Sequence, residues 1–340
     1  MLTLLTSCEP PKDPASDDGA LGSDGMVPML RHLREIKPGS EVLLLLSHAE
    51  DPYQVSQANQ LSDLVRQTEG LGLKIEDAKG SADNQITQIR AARERAPQVV
   101  IVQPVDAEAI TPALRELHES RVPVIGLDAS LDADVADTLV VCDQEAIAQT
   151  AATFVIEALR RKAKDEGKSE VSGRIVQINA SESHPPSQRR AAAFEKALHA
   201  EPGAVLVHDA PGEWTRENVL HRLREAFRLQ KQFDVIYAHN DLIAKFAEEA
   251  VREAAQRENI LLLGTDALAG TGGGLQMVRS GLIDASVHQP LLVDFAWRVI
   301  LKMRADASFR PKPRYDIAPF VITMGNLADM TARGPEFPEL

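Results

Sequence analysis

The residues best suited to chemistry sit at corners, where an apolar run gives way at once to a helical pattern. Ala238-His239-Asn240-Asp241 is the clearest, closing the run at 234–238 and opening a helical pattern over 241–257. Similar corners hold Asp51-Pro52-Tyr53-Gln54, Asp106, Asp128, Gln188-Arg189-Arg190, Trp214, Asp266 and Gln289. Each has a local explanation to weigh. Asn240 suits a helix N-cap, where its side chain accepts from free N–H groups, and Asp241 complements the helix dipole. Other corners resist that reading. Arg189 and Arg190 at a helix start oppose the dipole, and Gly212-Glu213 place Trp214 in a loop. Brought together, these side chains would form a polar binding site with aromatic surface.

Catalytic signatures are missing. There is no Gly-x-Ser-x-Gly elbow, no HExxH and no dinucleotide fingerprint after the first strand. The run "GTGGG" at 270–274 lacks the Lys-Ser/Thr of a phosphate loop and reads as a flexible turn. Two carboxylates in a cleft could perform glycoside chemistry, so a carbohydrate-acting cleft enzyme stands as a minor alternative. The main reading is a binding protein with no catalytic residue, no cofactor and no metal. His239 and His288 read as structural, and Cys142 as an inert buried thiol.

Composition bounds the rest. A chain of 340 residues accommodates two domains. A formal net charge of −13 argues against nucleic acid or an anionic membrane face as partner. No stretch approaches the roughly 18 apolar residues of a membrane span. The two cysteines, Cys8 and Cys142, cannot build a disulfide framework or a cysteine-rich metal site.

The elements that must position the corners form two successive βα series. Residues 42–46 are continuously apolar, as in a strand buried on both faces. Helix at 54–71, strand "LKIEDA", helix at 84–96, strand "QVVIVQP", helix "DAEAITPALRELHESR", strand "VPVIGLDA" and the segment "DTLVVCDQE" complete the first series. A helix at 144–164 and the polar turn "KDEGKSEVSG" introduce the second. That series runs "RIVQINA", "PSQRRAAAFEKALHA", "AVLVHDA", "TRENVLHRLREAFRLQ", "DVIYAHN", helix 241–257, "ILLLGTDA", a short helix and "DASVHQP". A helix at 291–304 and a strand at 315–323 close the chain. Alternating strands and helices imply parallel sheets with right-handed crossovers. The break between the two series argues for two doubly wound lobes over one barrel. In such sheets ligands meet the carboxyl ends of the strands, which is where the polar corners fall.

At these residues the chain resembles a family. "DPYQ", "VPVIGLDA", "SQRRAAAF", "DVIYAHNDLIA", "ILLLGTDA" and "RSGLIDASVHQP" are similar to segments of periplasmic sugar-binding proteins of the ribose-binding type. That type I periplasmic binding fold is shared with the ligand-binding domain of LacI-type repressors. The resemblance spans about residues 41–323. It implies an α/β protein of two doubly wound parallel-sheet lobes joined by a three-strand hinge. Lobe one would hold 41–142 and 290–317, lobe two 143–289 and 318–330, with 331–340 a tail and crossings near 142, 289 and 317. Carried over by position, the ligand-binding residues are Asp51, Tyr53, Asp128, Arg190, Trp214, Asn240, Asp266 and Gln289. An aromatic gives the faintly apolar face of a sugar a flat platform; Asp, Asn, Arg and Gln answer its hydroxyls.

The departures lie mostly in lobe one. Asp51-Pro52-Tyr53-Gln54 replaces the family's Asn-Pro-Phe-Phe, Ala129 replaces an arginine, and Thr265 stands where an aromatic often precedes the aspartate. Asp51, Asp128 and Asp266 facing Arg190 would leave the pocket acidic. Ribose is thereby disfavoured, and an amine or amino sugar stands beside a monosaccharide or polyol. The implied partner is the membrane permease of an ABC transporter; the alternative is a sensor kinase or chemoreceptor. The protein is expected to be a monomer. A repressor would need a basic helix-turn-helix ahead of the first strand, where this chain has an acidic leader.

That leader, residues 1–40, is rich in Pro, Asp, Ser and Gly and unsuited to a core. Leu5-Thr6-Ser7-Cys8 resembles a lipoprotein lipobox, which implies acylation of Cys8 and a tether on the periplasmic or cell-surface side of a bacterial membrane. No basic segment precedes the apolar run, so a start upstream of Met1 is expected to supply it. A frayed cytoplasmic tail is the competing reading.

Overall fold

Residues 42–46 behave as their composition demands: each side chain is 0–2% exposed, so the strand is covered on both faces. The computed structural model describes residues 39–340 apart from 129, 183, 307 and 335; residues 1–38 of the leader, Cys8 among them, lie outside the described residues, and Ser40, expected in the leader, opens the first strand. The first series comprises β1 (Ser40–Leu46), α1 (Pro52–Arg66), β2 (Leu71–Asp77), α2 (Ala82–Arg95), β3 (Val99–Val102), α3 (Ala107–Glu119), β4 (Val124–Gly126) and β5 (Thr138–Val141). The second comprises α4 (Gln144–Asp165), β6 (Gly173–Asn179), α5 (Pro185–Leu198), β7 (Ala204–Pro211), α6 (Arg216–Gln230), β8 (Val235–Ala238), α7 (Asp241–Glu253), β9 (Leu261–Asp266), α8 (Gly274–Arg279) and β10 (Ala285–His288). The chain ends with α9 (Leu292–Ala305), β11 (Arg314–Asp316), β12 (Phe320–Thr323) and α10 (Leu327–Arg333).

Two six-stranded sheets result, with strand orders β11-β5-β4-β3-β1-β2 and β12-β10-β9-β8-β6-β7. In both, the first strand of the series lies between the next two, so strand order reverses there and the following loops open a crevice. All neighbours pair in parallel except β12, which runs antiparallel to β10 along the edge of the second sheet.

The chain passes between the sheets three times, after β5, after β10 and between β11 and β12. After the second passage α9 packs on α1 of the first lobe. Gln57 Oε1 accepts from the Val293 N–H at 3.0 Å, and Gln60 Nε2 donates to Asp294 Oδ1 at 2.6 Å. The third passage corrects one element. The strand expected over 315–323 is two strands in different sheets, separated by Ile317-Ala318-Pro319. Proline has no N–H to give a ladder, so pairing breaks there. Past α10, Phe337 returns to the first lobe: its ring lies 5.4 Å from that of Phe295 and under the Arg298 guanidinium at 4.6 Å.

Among the described residues, no helix is long and apolar enough to cross a membrane, and no group of three His, Cys, Asp or Glu side chains is placed to hold a metal ion.

Candidate functional site

The carboxyl ends of the two sheets face each other across a cleft of about 730 Å³, its open mouth included. Asp51, Tyr53, Asp128, Arg190, Trp214, Asn240, Asp266 and Gln289 all line it. The first three come from loops and helix starts after β1 and β4, the others from the ends of β6 to β10.

Helix caps fix several of them. Asp51 caps α1 through Oδ1, which accepts from the Tyr53 N–H at 3.0 Å, while Gln54 Nε2 reaches Oδ2 at 3.5 Å. Burial pushes the Asp51 carboxyl up in pKa, against the Tyr53 N–H and the Arg190 charge. Tyr53 is 4% exposed and donates its hydroxyl to the Pro290 carbonyl at 2.7 Å, which ties α1 to the second crossing. Asn240 caps α7 by accepting from the Ile243 N–H at 2.8 Å through Oδ1. Its Nδ2 makes no protein hydrogen bond among the described residues.

Arg190 is held at the centre. Its Nε and Nη2 donate to Gln144 Oε1 at 3.0 and 2.5 Å, Nη2 also donates to Gln289 Oε1 at 3.1 Å, and Nη1 donates to the His239 carbonyl. The guanidinium therefore spans the starts of α4 and α5, the end of β8 and the second crossing. A side chain this fully hydrogen-bonded presents its charge without having to be ordered by a ligand.

Asp266 is different: it is 4% exposed, and its carboxylate accepts no protein hydrogen bond among the described residues. Burial drives its pKa well above the carboxylate range; the Asp241 and Asp51 carboxylates add to that rise and Arg190 opposes it. The neighbouring Asp241 accepts from the Ala267 N–H and the Ser286 hydroxyl, both at 2.7 Å, and burial sets it at about 7. Because hydrogen bonds to the charged form favour it, Asp241 takes the charge of this pair and Asp266 the proton.

Asp128 lines the cleft, but its carboxylate is already engaged. Both oxygens accept from Arg189 Nη2 of the other lobe at 3.2 Å, and Oδ1 also accepts from the Ser130 N–H and hydroxyl. Trp214 stands at the mouth, 5.3 Å edge-on from the His184 ring and 5.8 Å from His48 of the first lobe. Its loop carries two successive left-handed residues, Glu213 (φ 50°) and Trp214 (φ 51°); Asp266 (φ 101°) and Ala267 (φ 47°) form another such pair. These are the consecutive non-glycine pairs at positive φ among the described residues. Each such residue costs about 1–3 kcal/mol, and such strain concentrates at functional sites.

Sequence reasoning missed the part that Arg189 plays and missed two further groups altogether. Arg189 bridges the lobes, although its misfit at a helix start was the available signal. His184 lines the cleft with Nδ1 buried and unpartnered, and burial lowers its pKa to about 4, so the ring is neutral. Its position before Pro185-Pro186 marked a helix start and nothing more. Gln103 Oε1 is also buried without a partner. His239 proves structural: its ring meets Ser187 Oγ at 3.1 Å and Gln177 Oε1 at 3.3 Å, with a pKa far below normal from burial. Cys142 is 5% exposed with its thiol pushed up to about 12 by burial, which keeps it protonated.

With this geometry in view, comparison with known proteins is direct. Residues 42–291 match the periplasmic binding protein domain, and the chain belongs to that family. The galactofuranose-binding protein YtfQ of Escherichia coli K12 is 23% identical over 225 residues, covering 64% of this chain and 66% of that protein, just under two thirds of its length. The fructose-binding periplasmic domain of a hybrid two-component system superposes with a TM-score of 0.73 at 20% identity, covering 86% of this chain and 94% of that one. An ABC transporter periplasmic solute-binding protein from Actinobacillus succinogenes 130z, with bound D-allose, gives 0.73 at 20% identity, covering 85% and 99%. The two structures share the fold of two parallel-sheet α/β lobes.

Proposed function

We propose that the protein is an extracytoplasmic solute-binding protein. It captures a small hydroxylated ligand, a monosaccharide or related polyol, in the interlobe cleft and delivers it to an ABC transporter. The observation that carries this reading is the convergence of eight polar and aromatic residues from both lobes on one cleft, with Asn240 Nδ2 and the Asp266 carboxylate left free. Ligands that bridge the lobes favour the form in which both sets of contacts are made. The named relatives fit this reading as binding proteins for galactofuranose, fructose and D-allose. In the proposal Arg190, Asn240, Asp266 and Gln289 bind hydroxyls, and Tyr53 and Trp214 cover the ring. Asp51 polarises the floor, and Asp128 acts by holding Arg189.

A sensory role is the second reading, favoured by the likeness to the periplasmic domain of a hybrid two-component system. For both roles Cys8 is proposed as the acylated anchor, tested by fatty-acid labelling that depends on Cys8.

A thermal-shift screen against sugars and polyols tests the cleft. A ligand that stabilises the parent should fail to stabilise Asp266→Ala or Asn240→Ala, although both variants keep a cooperative transition, and Trp214 emission should change on binding. If both variants gain as much stability as the parent, the assigned site is wrong.

A further inference from the structure

We infer that the cleft selects a hydroxylated ligand carrying a protonated amino group, and that Asp266 is the residue that receives it. The inference rests on the reading of the cleft as a site for a small hydroxylated solute.

The charges lining the cleft do not balance once their partners are counted. Asp128 is taken by Arg189 across the cleft. Asp143 caps α4, accepting from the Glu145 N–H at 2.7 Å, and lies 3.7 Å from Arg314. Asp51 and Asp266 remain, with Asp241 behind them, facing Arg190 alone. All four hydrogen bonds of that guanidinium go to uncharged oxygens of Gln144, His239 and Gln289, and none goes to a carboxylate. An isolated buried carboxylate is unfavourable unless it is paired or protonated, and this protein supplies Asp266 with no pair.

The unpartnered atoms point to the same ligand. Among the described residues, the buried lining atoms without partners are Gln103 Oε1 and His184 Nδ1. The amide oxygen can only accept, and a neutral histidine accepts at one ring nitrogen. An ammonium offers three donors and no acceptor, whereas a hydroxyl must also be given a donor. Asn240 Nδ2 is such a donor, which leaves the hydroxyls of the same ligand their own partner. A neutral sugar would leave Asp266 protonated or charged without a counterion; an ammonium would displace that proton to solvent and form a charge-assisted bond, about twice as strong as a neutral one.

The test is isothermal titration calorimetry on the full chain with matched pairs: D-glucosamine against D-glucose, D-galactosamine against D-galactose, and an aminodeoxyinositol against myo-inositol. N-acetylated amino sugars serve as uncharged controls of equal bulk. At least one amine should bind about tenfold or more tightly than both its parent and its N-acetyl form. Asp266→Asn should erase that gap: both compounds weaken, and the amine loses about tenfold more affinity than its neutral parent. The parent protein gives an independent reading through pH. Asp266 is faced by Asp241 of α7, Asp51, Arg190 of α5 and Tyr53 of α1, and its carbonyl by the neutral His288 ring at 3.2 Å. Amine binding should release a proton, so affinity should rise from about pH 5 to 7, where such amines stay protonated. Neutral compounds that bind as tightly as their amines, or an amine affinity that is flat or falls over that range, would overturn the inference and leave the sugar-binding reading intact. No binding by either series removes both.

Discussion

Asn240 answers two demands with one amide. Its Oδ1 caps α7, and the cap leaves Nδ2 as the donor that the proposed binding role requires. The two duties can be separated. Asn240→Asp keeps an oxygen for the Ile243 N–H but removes the donor. It should leave unfolding unchanged while weakening ligand binding about tenfold, read by calorimetry. Asn240→Ala should in addition lower stability by about 1 kcal/mol in urea unfolding. Asp241 shows where local reasoning ends. It reads as a complement to the helix dipole, yet its oxygens hold the Ala267 N–H and the Ser286 hydroxyl, 26 and 45 residues away. Gly264 and Gly274 lie so close to that carboxylate that neither could carry a Cβ without a collision. Asp241→Ala would leave the buried Ser286 hydroxyl without its acceptor and the Ala267 N–H with only its 3.1 Å bond to Ser286 Oγ, at about 1–3 kcal/mol for the lost partner. It should therefore lower the urea midpoint sharply, unlike the cleft variants.

Elements were legible where one physical signal dominated. Continuous apolar runs marked β1, β3 and β8, and the buried stripe Ile243, Ala244, Ala247, Ala250 and Val251 gave α7 its period. The signal failed where tertiary contacts decide. The run 315–323 has strand composition throughout, but Pro319 interrupts pairing and the two halves join different sheets. Helix α10 has only seven residues, too few to show a helical period, and was not expected. The end of α3 carries another contact that periodicity cannot show: His118 Nε2 lies 3.8 Å from Asp137 Oδ1, whose partner oxygen accepts from the Val124 N–H at 2.8 Å. The bond to Asp137 raises the His118 pKa. A raised folded-state pKa means the stabilisation is complete below the unfolded value of about 6.5 and is lost as pH rises through the folded one. His118→Asn should thus cost at most about 1 kcal/mol near pH 6, as the pair is partly exposed. The same substitution should be neutral near pH 9, measured by urea unfolding at both.

At the scale of the whole molecule, two lobes and the chemistry of their facing ends could be read from the chain, because strand ends and polar corners coincide. How the lobes touch could not be read. Asp128 and Arg189 are 61 residues apart, and only the juxtaposition of the sheets pairs them. The same holds for His48 against Trp214. These contacts cross the mouth of the cleft without passing through its interior, so they stabilise apposition whether or not a ligand is present. Arg189 is roughly a third exposed at its side chain and Asp128 one-eighth, which places the bridge nearer to a surface ion pair than to a buried one. Such pairs contribute about 0.2–1 kcal/mol, equivalent to at most about fivefold in a rate or equilibrium constant. Arg189→Gln should accordingly speed ligand release by up to about fivefold in stopped-flow fluorescence of Trp214. The unfolding transition of the ligand-free protein should stay in place, since neither lobe's core is touched. Because the pair is reached by solvent, salt screens it, and the difference between parent and variant should shrink as ionic strength rises from about 0.01 to 1 M. A variant that releases ligand at the parent rate in low salt would show that the bridge follows closure without stabilising it.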